Sequence, residues 1–220
     1  MVRRTKEEAL ETRNSLMVAA LEQFCEKGIA RTTLSDIATA AGVTRGAFYW
    51  HFKNKAQLFE ALWAQLRNPL DELAYISENP QEPQPLEKLR ELIVLLLQMV
   101  VSNPVHQHIF RLMINRNDLD GELREIGAHM QLMQGQFRAR TERILTNAVR
   151  RGQLPADLPV ELAAFMLHSM VDGLIANWFT GDTRVDMHAQ ASVIVDAMLV
   201  MLRQGFGGSA ALVVESPIVS

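Results

Sequence analysis

Apolar residues recur along this chain at the three- and four-residue intervals of an α-helix, and strand-like alternation is scarce, so the pattern predicts an all-α protein. Leu16, Ala19, Ala20 and Phe24 form one stripe, with Gly28 just past its last turn as a natural stop. Thr33 ahead of Leu34, with Asp36 three residues on, reads as a reciprocal cap opening a second helix that ends near Ala41 and Gly42. Thr44 caps a short third helix reaching about Trp50, and Asn54 caps a fourth that carries Leu58, Leu62 and Leu66. Proline punctuates the rest: a loop from Pro80 to Pro85, a helix restart at Pro104 and a break from Pro155 to Pro159. The last helix is expected from about Asp186 to Arg203, ahead of the glycine-rich stretch that begins at Gly205. The simplest partition is a small helical unit over 1–52, a larger one over 53–204 and a flexible tail over 205–220.

Composition is compatible with that layout, since 220 residues of which 48% are hydrophobic can bury a sizeable core. Charge changes the picture more. The net charge is −3, yet residues 1–55 hold nine Lys and Arg against six Asp and Glu, while the remainder holds thirteen against nineteen. A basic head on an acidic body is what a phosphate-facing unit beside a different one would show. The single cysteine, Cys25, excludes an intramolecular disulfide framework. No apolar stretch follows the basic opening, and the strongest apolar run, Leu92 to Val101, is interrupted by Gln98, so a cytoplasmic protein with no membrane partner is expected. Glycine-rich phosphate loops, nucleophile elbows and zinc motifs are absent from the sequence. His106 and His108, two apart on a helix, face different ways, and the acids Asp118, Asp120, Glu122 and Glu125 lack a calcium-loop pattern. The expectation is a non-enzyme without cofactor or metal.

The informative segment runs from Thr32 to Lys55. Leu34, Ile37 and Ala38 make the buried face of a short helix, Gly42 permits a sharp turn, and Val43 and Phe48 close the core from the other side: helix, turn, helix. Thr44, Arg45, Gly46 and Tyr49 then point outward from the second of these helices, whose N-terminus favours phosphate. Its opening residues are the ones such a motif sets against base edges. Arg45 is the candidate for a bidentate guanine contact, Thr44 for a thymine or phosphate contact, and Gly46 lets the backbone approach closely. Thr33, Tyr49, His51 and Lys55 are candidates for phosphate contacts that set register, with Arg3, Arg4 and Lys6 as a basic arm. The partner this implies is double-stranded DNA.

Over residues 3–62 the chain resembles the TetR family of bacterial repressors. Arg3 to Glu8, Ala41 to Ala47 and Tyr49 to Lys55 are similar to the AcrR-type branch, which controls multidrug efflux operons, as are the shorter stretches Arg150 to Pro155 and Asp172 to Ile175. The resemblance implies a homodimer, nine helices of which three form the DNA-binding unit, and an apolar inducer pocket in the larger unit.

Within that larger unit Met99, Met113, Met130, Met133, Met166 and Met170 fall on helices, where flexible thioethers could line an adaptable pocket or merely fill core gaps. Phe110, Met113, Ile114, Phe137, Phe165, His168, Asp172 and Ile175, joined by Leu66, Leu96 and Met133, are the candidate contacts for a small hydrophobic or aromatic effector. Asp172, a carboxylate amid apolar neighbours, must be solvated, paired or offered to a ligand. The helices at about 160–180 and 186–203 are apolar over more than one face, which suits a second copy of the chain as partner or burial inside one subunit. A regulator of another process, without a drug-like inducer, is the alternative reading.

Overall fold

The computed structural model describes residues 6–114, 124–181 and 184–206, except the side chains of residues 66, 68, 69, 105, 108 and 112–114. Nine α-helices and no strand occur among the described residues: α1 (Lys6–Lys27), α2 (Leu34–Ala40), α3 (Arg45–His51), α4 (Lys55–Glu78), α5 (Pro85–Ser102), α6 (Pro104–Ile114), α7 (Arg124–Arg150), α8 (Val160–Phe179) and α9 (Met187–Gln204). The all-α expectation holds. Arg3 and Arg4, the acids from Asp118 to Glu122 and the tail beyond residue 206 lie outside the described residues.

The starts of α2, α3 and α4 follow from caps that the local sequence encodes. Thr33 Oγ1 accepts from the Asp36 amide at 3.1 Å while Asp36 Oδ2 accepts from the Thr33 amide at 2.9 Å, the reciprocal pair that opens α2. Thr44 Oγ1 accepts from the Ala47 amide at 3.2 Å to open α3, and Asn54 Oδ1 from the Gln57 amide at 2.8 Å to open α4. Gly42, at φ +68°, makes the turn between α2 and α3 in a conformation that a β-carbon would strain.

Helices α1 to α3 pack around Leu16, Ala20, Phe24, Ile37, Phe48 and Phe52, all buried. The core does not stop at residue 52. Leu58, Phe59 and Leu62 of α4 belong to the same continuous apolar cluster, and α1 packs against both α4 and α6, so α4 runs without a break from the small unit into the large one. In the large unit α5 is central, touching α4, α6, α7, α8 and α9.

Helix α8 departs from the expectation that no segment is apolar enough to span a bilayer. Over its most apolar 18-residue window its mean hydropathy is 1.3, and by length and composition the helix qualifies. A search for unbroken apolar runs misses it because Glu161, His168 and Asp172 interrupt the sequence. Its inner face, Ala163, Ala164, Leu167, Val171 and Ile175, is buried in the core, whereas Phe165 on the outer face is 52% exposed. Helix α9 behaves likewise: Ala191, Val195, Met198 and Leu202 are buried while Val193 is 64% exposed.

Candidate DNA-binding surface and ligand cavity

Phe48, fully buried, anchors α3 and thereby turns Arg45, Gly46, Tyr49 and Trp50 to solvent. Arg45 folds back along its helix: Nη2 donates to Tyr49 Oη at 3.1 Å, and the guanidinium sits 5.6 Å from the Tyr49 ring centroid. Both contacts are exposed, so the arginine can exchange them for a base edge at little cost. The Thr44 hydroxyl accepts its capping bond and keeps its own proton to donate. Thr33 is more committed, because its hydroxyl also donates to Asp36 Oδ2 at 2.7 Å. The Thr33 hydroxyl and the Thr33 amide, both donating to Asp36 Oδ2, hold the Asp36 carboxyl below the usual range.

Lys55 is placed differently from a free phosphate ligand. Its Nζ donates to the carbonyls of Ile29 at 3.3 Å and Thr32 at 3.1 Å, which pins α4 to the connection between α1 and α2. His51 lies edge-on to Trp50, with ring centroids 4.7 Å apart. Trp50 itself, 74% exposed beside Tyr49, is a surface residue that the helical reading used only as a helix end. An aromatic that the core stripe leaves out, on so short a helix, was the available signal.

In the larger unit a cavity of about 150 Å³ lies among α4, α5, α6, α7 and α8. Of the expected contacts, Leu96, Phe110, Phe137, His168, Asp172 and Ile175 line it. Phe165 does not: it faces outward, with the Arg138 guanidinium 5.6 Å from its ring. Met133 lines a neighbouring recess of about 260 Å³ between α4 and α7 rather than the cavity. The side chains of Leu66, Met113 and Ile114 lie outside the described ones. Among the described lining residues of the cavity, apolar and aromatic side chains are joined by Arg67, Gln134, Arg140, Thr141, His168 and Asp172, and none is Met; of the methionines, Met133 reaches the adjoining recess.

Trp63, Arg67, Leu70 and Ala74 form the α4 wall, spaced four, three and four residues apart on one face. The Trp63 ring sits edge-on between Phe110 and Phe137, at centroid distances of 6.4 and 6.2 Å. At the polar end, Thr141 Oγ1 donates to the Phe137 carbonyl at 3.1 Å and lies 3.0 Å from His168 Nε2. With the hydroxyl proton already used, His168 must supply the proton of the second bond from Nε2. Burial holds the pKa of His168 below its ordinary value, against the opposing pull of Asp172, so the imidazole is neutral near pH 7.

A capped helix-turn-helix with an outward arginine, joined by one continuous helix to a unit containing an apolar cavity, defines a DNA-binding protein with room for a small molecule. Comparison with known proteins gives the family. Residues 16–62 match the model for bacterial regulatory proteins of the tetR family, and residues 84–204 match the C-terminal region of MAATS-type transcriptional repressors. The HTH-type transcriptional regulator TtgR of Pseudomonas putida is 42% identical over 203 residues, covering 92% of this chain and 97% of the relative. Among solved structures, NalD, the secondary repressor of the MexAB-OprM multidrug efflux pump in Pseudomonas aeruginosa, superposes with a TM-score of 0.76 at 31% identity, over 89% of this chain and 97% of that one. SmeT of Stenotrophomonas maltophilia, solved with triclosan, superposes with a TM-score of 0.78 at 28% identity, over 95% and 99%. The chain belongs to the TetR family of DNA-binding transcriptional regulators.

Proposed function

We propose that the protein is a homodimeric repressor of a multidrug-efflux operon, released from double-stranded operator DNA by a small hydrophobic or aromatic ligand. The observation that carries this reading is α4. Its first turn is tied through Lys55 to the α1–α2 connection, and the same helix supplies one wall of the cavity. A ligand that favours one placement of α4 therefore favours one placement of the recognition helix α3. NalD and TtgR, at 31% and 42% identity, support the repressor and regulator parts of the reading. The outward apolar residues Phe165 of α8 and Val193 of α9 supply a face for a second copy. Such a dimer would set two α3 helices one DNA turn apart, about 34 Å.

On this reading Arg45 reads a guanine edge, Thr44 and Tyr49 hold phosphates, and Gly46 lets the backbone close on the duplex. Thr33, His51 and Lys55 then act chiefly by holding α2 and α3 in place. The test is fluorescence anisotropy on the DNA upstream of the gene and its neighbours. Arg45→Ala should lose about 1–3 kcal/mol of operator affinity while thermal stability and oligomeric state stay as in the parent. Hydrophobic ligands should weaken the parent's binding. An Arg45→Ala protein that binds the operator as the parent does would remove the assignment.

A further inference from the structure

The seam between α4 and α7 concentrates positive charge beside the cavity. Arg67, Arg140 and Arg143 converge there, answered among the described residues by two carboxylates, Asp71 and Glu78. Asp71 is shared: Oδ2 accepts from Arg67 Nε at 3.1 Å and Nη2 at 3.0 Å, and Oδ1 from Arg140 Nη1 at 2.9 Å. Glu78 accepts from Arg143 at 2.6 and 3.0 Å and lies 3.6 Å from Arg140 Nε. Arg67 has one further bond, in which Nη1 donates to the thioether of Met133 at 3.1 Å. A thioether is a weak acceptor for a cationic donor, and an oxyanion at that place would make a shorter, stronger bond.

Arg67 and Arg140 line both the apolar cavity and the adjoining recess, so this cationic edge is part of the wall a ligand would meet. Asp172 is the only carboxylate among the cavity's described lining residues, and it lies on α8, where its charge acts on His168. The cavity volume of about 150 Å³ is that of an apolar hole known to accept a single benzene ring. The recess beyond it offers about 260 Å³ for a polar group.

We propose that the effector is a compact aromatic acid, with its ring in the cavity and its carboxylate or phenolate at Arg67 and Arg140. One acid oxygen replaces Met133 Sδ at Arg67 Nη1, and the acid competes with Asp71 for Arg140. The inference rests on the cavity being the effector site and adds the sign of the effector's charge. Because Asp71 and Arg67 are on α4 and Arg140 is on α7, an acid that takes Arg140 from Asp71 also loosens the tie between those helices.

The test uses four probes of nearly one shape: 4-methylbenzoate, 4-methylbenzamide, 4-methylbenzylammonium and p-xylene. Each is titrated into the full-length protein at pH 7.5 by saturation-transfer NMR. The benzoate should bind at least tenfold tighter than the amide or the ammonium, and Arg67→Gln should cut that preference to about threefold or less. If p-xylene or the amide binds and the benzoate is no better, the charge assignment is overturned while the cavity stands. If the ammonium binds most tightly, it is overturned in sign. If none of the four binds, the cavity reading itself falls and this inference with it. Should Arg67→Gln fail to fold, the order of the four probes on the parent protein decides alone.

Discussion

Replacing Gly46 by alanine separates the stability of the recognition helix from its use. Gly46 lies in the first turn of α3, and a β-carbon there would meet only Thr44 Oγ1, at 3.8 Å, an ordinary contact. The free protein therefore accommodates the methyl group. It should gain the helix-propensity difference of about 0.5–1 kcal/mol between alanine and glycine, a rise of about 1–4 °C in Tm for a chain of this size. On the operator the same methyl stands where the backbone is proposed to approach the duplex. Overpacking a close contact costs about 1–3 kcal/mol, which converts to roughly a 5- to 150-fold loss of affinity. Differential scanning calorimetry and anisotropy titration at one fixed salt concentration measure the two effects separately. A Tm that rises with operator affinity unchanged would show that Gly46 does not face DNA. A Tm that falls would refute the helix-start geometry itself.

Two further outcomes follow from other parts of the molecule. Burial lowers the pKa of His168, so below about pH 6.5, the ordinary histidine value, the unfolded chain binds a proton that the folded chain refuses. Stability on this account is complete above that pH and declines as pH falls through it toward the lower folded-state value. The Tm of the parent should thus drop more steeply than that of His168→Gln between pH 7.5 and 5.5, and equal slopes would dismiss the buried-imidazole argument. Val193→Glu places a charge on the exposed apolar face of α9; sedimentation should then report a monomer of unchanged helicity, whereas a persistent dimer would place the interface elsewhere.

The parts of this structure that were legible in the sequence are those decided within a few residues. Thr33 with Asp36, Thr44, and Gly42 at positive φ are local solutions to local demands, and they place α2 and α3 wherever the rest of the chain goes. Leu96, Phe110, Phe137, His168, Asp172 and Ile175 were reached from side-chain type on helices, and the structure brings them to one cavity. Phe165 was lost because α8 is apolar on two sides, so periodicity cannot say which side looks inward. The α4 wall was missed for a related reason. Arg67 reads as a solvated position by composition, yet it closes the cavity because Asp71 and Arg140, the latter 73 residues downstream of it in sequence, hold its neighbourhood together. Long-range ion pairing of that kind leaves no mark on a hydropathy pattern.

Helix α4 joins the reading head to the cavity wall, but it is not a uniform rod, because the proline at position 69 has no amide proton for the helical ladder and marks a place where the helix can bend. Its C-terminal end is clamped, since Glu78 is gripped by Arg143 and its carbonyl accepts from Asn147 Nδ2 at 3.1 Å. At about 1.5 Å of rise per residue, Trp63 stands roughly 22 Å from that fulcrum and Lys55 roughly 35 Å. For a rigid rod, a sideways displacement of Trp63 would be multiplied about one and a half times at Lys55; a bend at position 69 would bring the pivot nearer Trp63 and raise that ratio. On the proposed reading, a change of a few ångströms between the two heads of a dimer would then come from a ligand that occupies volume against Trp63.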